Sequence, residues 1–230
     1  MRVFEHAEVK KLLINMFAAV DKAKCSADII RISSDLNLEI EIKKNMPIDG
    51  KYPRLSFRFE DADFNVLQHF LNDDLMLKND LSTGQVDGKI LTPLEKLLYA
   101  ILWKNGDLGK ERLLLRGIQS GSTQDNRNDD AAVVFFEFGR FLTNNNVFIL
   151  DQHTLRCHSA FNACIENSDD KFEYARRLNS INKYSTHAGL IENYKKYYSG
   201  LKNKIDYKNT EFYYHLDRLL FGVGKMIKCK

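Results

Sequence analysis

Proline and glycine are scarce: the 230-residue chain has 3 and 12 of them. That is too little punctuation for the many tight turns of a β-sandwich or barrel, so helices should dominate. Long apolar runs are missing too. Stretches such as residues 97–103 fall far short of the ~20 residues that a membrane helix needs. No apolar signal segment follows Met1, which makes a cytoplasmic location without membrane attachment the expectation. The four cysteines, at 25, 157, 164 and 229, include no Cys-x-x-Cys pair, which argues against a disulfide scaffold and for reduced thiols.

What the chain does contain is an ordinary share of apolar (44%) and charged (28%) residues, and this excludes disorder as the main state. The net charge of +3 hides an asymmetry. Residues 171–230 hold 13 Lys and Arg against 5 Asp and Glu, whereas the first 170 hold 21 against 26. One end of the chain is therefore built to meet something negative. Eight of the ten tyrosines sit in that basic segment.

Periodicity organises the chain into two parts. Residues 3–24 read as an amphipathic helix, with Val9, Leu12, Leu13, Phe17 and Val20 at intervals of three and four. Residues 36–43 and 54–60 alternate like half-buried strands, and residues 62–71 suggest a short helix. The polar run 72–89 marks a domain boundary. Beyond it, Thr92-Pro93-Leu94-Glu95 has the pattern of a capping box with proline at the first helical position. Further helices are expected at 93–103, 107–118, 129–142, 154–165, 171–182, 186–204 and 210–228. The expected fold class is α+β, mostly α-helical: a mixed N-terminal region over 1–89 and a helical domain over 90–230.

One segment of the helical part carries chemistry. After an apolar helix and a connector, Asp151-Gln152-His153-Thr154-Leu155-Arg156 opens the next helix. Asp151 follows four apolar residues, so it is partly desolvated, while the helix N-terminus favours its anion. The bland use of such a residue is a helix cap. The chemical use is to stabilise a positively charged sugar, as in cleavage of an N-glycosidic bond. The same carboxylate can orient or deprotonate water, with His153 holding the loop or touching a phosphate. Arg156 reads as a salt-bridge or phosphate contact.

These residues resemble the Asp-x-His-x-x-Arg segment of the helix-hairpin-helix DNA glycosylases, in which the aspartate is the catalytic carboxylate and a helical pair precedes it. Residues 131–139 resemble the second arm of that hairpin, residues 216–225 its closing helix, and the mixed N-terminal region resembles the oxoguanine-type branch. The resemblance implies a DNA glycosylase with Asp151 as catalytic residue and Gln152, His153 and Arg156 as DNA contacts. The family's hairpin turn binds phosphate through Gly-rich backbone. Here residues 117–128 have no proline and no Gly-x-Gly, and Ser120, Gly121 and Ser122 offer donors instead. Bifunctional members use a lysine on the hairpin's second helix, but no lysine lies between Lys110 and Lys171, so monofunctional hydrolysis is implied.

The implied partner is double-stranded DNA with an extruded base, bound by a monomer. Lys195 and Lys196 would neutralise phosphates, and Tyr214 would offer a stacking face, although three-and-four spacing also suits tyrosines to a core. No cofactor or metal is expected. His153, Cys157, His158 and Cys164 lack the paired spacing of zinc sites, and Gly222-Val223-Gly224-Lys225 lacks the strand and spacing of a phosphate loop. Repair and defence against modified foreign DNA fit the resemblance equally. Two other readings use the same residues: a non-catalytic DNA binder of helix-turn-helix or winged type, with 147–155 as a wing strand, and a defence or regulatory interaction protein whose basic surface meets an acidic partner.

Overall fold

The computed structural model describes residues 5–35, 57–86, 88–105, 110–120, 133–143, 147–181, 183–206 and 210–229. Among them it has ten α-helices: α1 His6–Lys22, α2 Ser26–Asp35, α3 Asp61–Leu67, α4 Pro93–Asn105, α5 Glu111–Ser120, α6 Val133–Thr143, α7 Gln152–Ile165, α8 Asp169–Arg177, α9 Tyr184–Lys202 and α10 Thr210–Met226. The described strands form one two-stranded sheet, β1 Gln85–Val86 and β2 Lys89–Ile90. The fold is α+β and mostly α. The chain divides into two compact units, one made of 1–55 with 150–230 and the other of 56–149. The division expected at residue 89 falls inside the second unit, because the apolar face of α1 finds its partners on the C-terminal helices.

The first unit carries the candidate site. Along α1, Val9, Leu12, Leu13, Met16, Phe17 and Val20 are buried as one stripe, each worth about 1.5–3 kcal/mol of apolar transfer. Phe17 stacks on Phe161 of α7, with ring centroids 4.0 Å apart, and meets His158 and Tyr197 edge-on. The same helix is tied by ion pairs, Lys10 to Asp169 and Asp21 to Lys204. Helix α2 begins where the Asp28 carboxylate accepts the backbone N–H groups of Lys24 and Cys25. It buries Ile29 and Ile32.

Helix α10 meets the first turns of α7 at Gly224, against the His153 backbone and the Cys157 side chain. A Cβ on Gly224 would lie 1.9 Å from the His153 carbonyl oxygen, so only glycine admits this approach. The Gly222–Lys225 stretch is thus a helix feature, as its sequence suggests.

The second unit has its own core of Leu81, Val86 and Leu91, against which Phe70, Leu77 and Tyr99 pack. Strands β1 and β2 pair antiparallel, Gln85 opposite Ile90 and Val86 opposite Lys89, with Gly88 at a φ of 78° in the turn. The capping box at Thr92 is formed: Glu95 accepts the Thr92 N–H at 2.7 Å and Thr92 Oγ1 accepts the Glu95 N–H at 3.3 Å. Helices α5 and α6 touch through their backbones, since a Cβ on Gly117 would lie 2.1 Å from Phe136 O and one on Gly139 2.0 Å from Leu114 O.

The strand expected at 36–43 lies outside the described residues, and the structure departs from the sequence expectations at two other places. Of that expected at 54–60, the described residues 57–60 are not a strand. Phe59 makes one main-chain bond, to Leu142 O at 2.8 Å, and Glu60 serves instead as the cap of α3. The actual sheet arises within the run taken as a boundary, where left-handed Gly84 and Gly88 permit the chain reversal.

Gly224→Ala should destabilise the first unit by at least about 2 kcal/mol, because the clash is with backbone that cannot swing away. Gly189→Ala, at an exposed position of α9 with nothing within 4 Å of its Cβ, should instead stabilise it by about 0.5–1 kcal/mol. Urea unfolding of the two variants checks both signs.

Candidate active site at the entrance of helix α7

The hexapeptide read as Asp-x-His-x-x-Arg starts α7. Asp151 has extended backbone angles and is the N-cap. Its Oδ1 accepts the His153 N–H at 2.6 Å, and its carboxylate also receives the Thr154 N–H, while Thr154 Oγ1 accepts the Asp151 N–H at 3.2 Å. The cap use considered from sequence is therefore realised, and it fixes the carboxylate rather than leaving it to rotate. Three backbone N–H groups, those of Gln152, His153 and Thr154, favour the anion, yet burial outweighs them and lifts the carboxyl above its ordinary value. Asp151 is an anchored, poorly hydrated acid.

His153 and Arg156 follow on the same turn, and the place of Arg156 differs from the sequence expectation. Arg156 is completely buried, which takes it away from any phosphate. Its Nε and Nη2 donate to Leu178 O, its Nη1 donates to Gly224 O at 2.7 Å, and Nη1 also meets His153 Nδ1 at 2.7 Å. The reason is the state of the neighbours. Leu178 is the C-cap of α8 and Gly224 lies in the last turn of α10, so both carbonyls are orphans that a cation at a helix C-terminus satisfies. His153 is half-buried, with its ring edge-on to Phe221 at 4.6 Å. Burial and the charges of Arg156, Lys225 and Lys228 push it down to about 4.

A second carboxyl, absent from the sequence reading, belongs to this region. Asp217 of α10 has an Oδ1 that is closed off from solvent and has no hydrogen-bond partner. Burial, reinforced by the charge of Asp151, pushes Asp217 up to about 8. It also faces Tyr194 and Tyr198 of α9, whose hydroxyls are raised chiefly by burial and further by its charge. Tyr194 in turn lies beside Thr154. The sequence held one signal. Asp217 shares a helix face with Tyr213, Leu220 and Gly224, and a lone acid on a buried stripe is unusual.

The remaining predicted residues are spread out. Gln152 stands half-buried beside His153. Lys195 pairs with Glu192 at 3.2 Å and lies over the Tyr184 ring, whereas Lys196 is exposed. Tyr214 accepts a hydrogen bond from Arg218 at 2.7 Å. Tyr194 and Tyr198 are buried core residues, following the helical spacing. Ser120 ends α5 in the second unit, its hydroxyl donating to Gly117 O at 2.9 Å, and Gly121 and Ser122 lie outside the described residues.

No three His, Cys, Asp or Glu side chains among the described residues are grouped to hold a metal. Cys157 is buried with its thiol pushed up, and His158 lies among Phe17, Tyr194 and Tyr197. Residues 147–151 form no strand, so the wing of a winged-helix reading is missing. No described helix is long and apolar enough to cross a membrane. Comparison with family models, with curated proteins and with solved structures returns no match.

The buried acids and bases of this unit oppose one another in pH. Asp217 titrates at about 8 against an ordinary 3.8, so its contribution to stability is complete at low pH and is lost as pH rises from about 4 to about 8. His153 and His158 titrate at about 4 against 6.5, so theirs is complete above 6.5 and is lost as pH falls toward 4. Two groups outweigh one on the acid side, and stability from the three peaks near the histidines' ordinary value of 6.5. Asp217→Asn should flatten the alkaline decline, by at most about 1.4 kcal/mol per pH unit, and His158→Phe should shrink the acid one. Urea midpoints between about pH 5 and pH 8.5 test both.

Proposed function

We propose that this chain is a monofunctional DNA N-glycosylase, a cytoplasmic enzyme that acts on duplex DNA with one damaged or modified base extruded. The observation that carries the reading is the state of Asp151: a carboxylate fixed by backbone N–H donors, withdrawn from water and made more basic by burial. An anchored anion of this kind stabilises positive charge developing on a sugar far better than a hydrated one. Its increased basicity also suits it to take a proton from attacking water.

In the proposed step the C1′–N bond breaks and its electrons leave with the base, which takes up a proton. Water oxygen bonds to C1′, and a water proton passes to Asp151 and on to solvent. Burial and the charge of Asp151 raise Asp217 to about 8, which keeps its proton at neutral pH, and the proposed step uses Asp151 as the anion. Two carboxyls whose titrations are pushed apart by their surroundings are the usual pattern of an acid–base site. The lack of lysine between Lys110 and Lys171 supports hydrolysis over Schiff-base chemistry. The basic surplus of residues 171–230 supports a duplex partner, with exposed Lys196 available to phosphate.

Asparagine caps helices as well as aspartate does, so Asp151→Asn should fold and bind duplex while cleavage falls by about 100-fold or more. Incubation with damaged or modified duplexes, followed by hot alkali to break abasic sites, measures this. Alkali-labile strands from the wild type alone support the reading. Equal product from both proteins, or binding without product from either, overturns it. Borohydride should trap no protein–DNA adduct, and a covalent adduct would overturn the monofunctional assignment.

A further inference from the structure

Arg156, His153 and Gln152 form a chain of contacts from the buried interior to the half-exposed entrance of α7. The first link is Nη1 of Arg156 to Nδ1 of His153 at 2.7 Å. A guanidinium has only donors and keeps its charge in proteins. Nδ1 must therefore be the acceptor, and the ring proton of the neutral imidazole sits on Nε2. The second link is the 3.4 Å approach of the Gln152 amide to that Nε2. The structure sets the amide nitrogen there, and with Nε2 protonated two donors would repel, so the amide turns end for end and its oxygen faces the ring. The amide NH2 then points away from the ring.

We propose that Arg156 is a positioning residue that sets the direction of a hydrogen-bond relay through His153 to Gln152, so that the entrance of α7 presents the Gln152 NH2 as a donor to an acceptor oxygen of the ligand. Donation runs one way along the chain, from guanidinium to imidazole to amide. The source of that direction is remote from the surface. Arg156 cannot turn round, because its other donors hold Leu178 O and Gly224 O.

The site thus offers an acceptor and a donor side by side, the Asp151 carboxylate and the Gln152 amide. The identification of the ligand rests on the glycosylase reading above, under which the acceptor is an oxygen of the DNA, either of the phosphodiester or of a base carbonyl. The relay itself is a property of the free protein.

Two measurements test it separately. Long-range 15N–1H NMR of the free wild-type protein should show His153 as the Nε2–H tautomer from neutral pH down to about pH 5. The Nδ1–H tautomer or an imidazolium there would overturn the relay, whatever the protein does to DNA. In Arg156→Lys, His153 should titrate closer to its ordinary 6.5 and lose the single tautomer. An unchanged imidazole spectrum would overturn the positioning role. If that variant does not fold, the wild-type spectrum still decides.

For the ligand half, Gln152→Glu replaces a donor by an acceptor and should weaken duplex binding by about tenfold or more, well beyond the effect of Gln152→Ala. Equal binding by all three proteins would overturn donation to the ligand. A loss that persists on a duplex carrying an abasic analogue assigns the oxygen to the backbone, and a loss seen only with the base present assigns it to the base. Either supports a donor at Gln152. A wild type that binds no duplex defeats the glycosylase reading and, with it, donation to DNA, while the tautomer continues to decide the relay.

Discussion

A buried guanidinium must find acceptors for its donors or unfold its surroundings, because an uncompensated charge costs several kcal/mol away from water. Arg156 meets that demand with the carbonyls of Leu178 and Gly224 and the ring nitrogen of His153. Two of these acceptors are the negative ends of helices, where a cation is favoured by the aligned peptide dipoles as well as by hydrogen bonding. The residue thereby joins α7 to the ends of α8 and α10 and orients the imidazole nearest the candidate site. Arg176 repeats the arrangement on a smaller scale, its Nε donating to Ile227 O at 2.9 Å.

Close backbone approach makes this geometry attainable. Gly224 lets α10 lie against the first turn of α7, and that contact carries Asp217 into the electrostatic range of Asp151. A larger residue at 224 would separate the helices and lengthen the Arg156 bond to the Gly224 carbonyl. Packing and chemistry are thus controlled at one crossing. The same device, glycine against backbone, joins α5 to α6 through Gly117 and Gly139 in the other unit.

Local features of the sequence were legible and distant ones were not. The stripe of α1 and the caps at Thr92 and Asp151 follow from spacing and residue type, and they appear as read. Helix α2 was not foreseen, because Ile29 and Ile32 give too brief a pattern and its start depends on the Asp28 carboxylate reaching back to the preceding N–H groups. At the site, the contiguous residues 151–156 were visible as a group. The burial of Arg156 was not, since its acceptors are 22 and 68 residues away. Asp217 was missed for the same reason: only tertiary packing brings it within electrostatic range of Asp151.

The unit holding the candidate site is built from both ends of the 230 residues, with residues 56–149 interposed. Its partners for α1 and α2 therefore leave the ribosome more than a hundred residues later, and Leu13, Met16, Phe17 and Ile29 wait with their apolar faces open. Such long-range pairing slows folding, since the loop must close before any contact rewards it. The entrance of α7 is consequently assembled late, after translation has supplied α10, and incomplete chains hold an unfinished candidate site beside exposed apolar surface of the kind that favours aggregation.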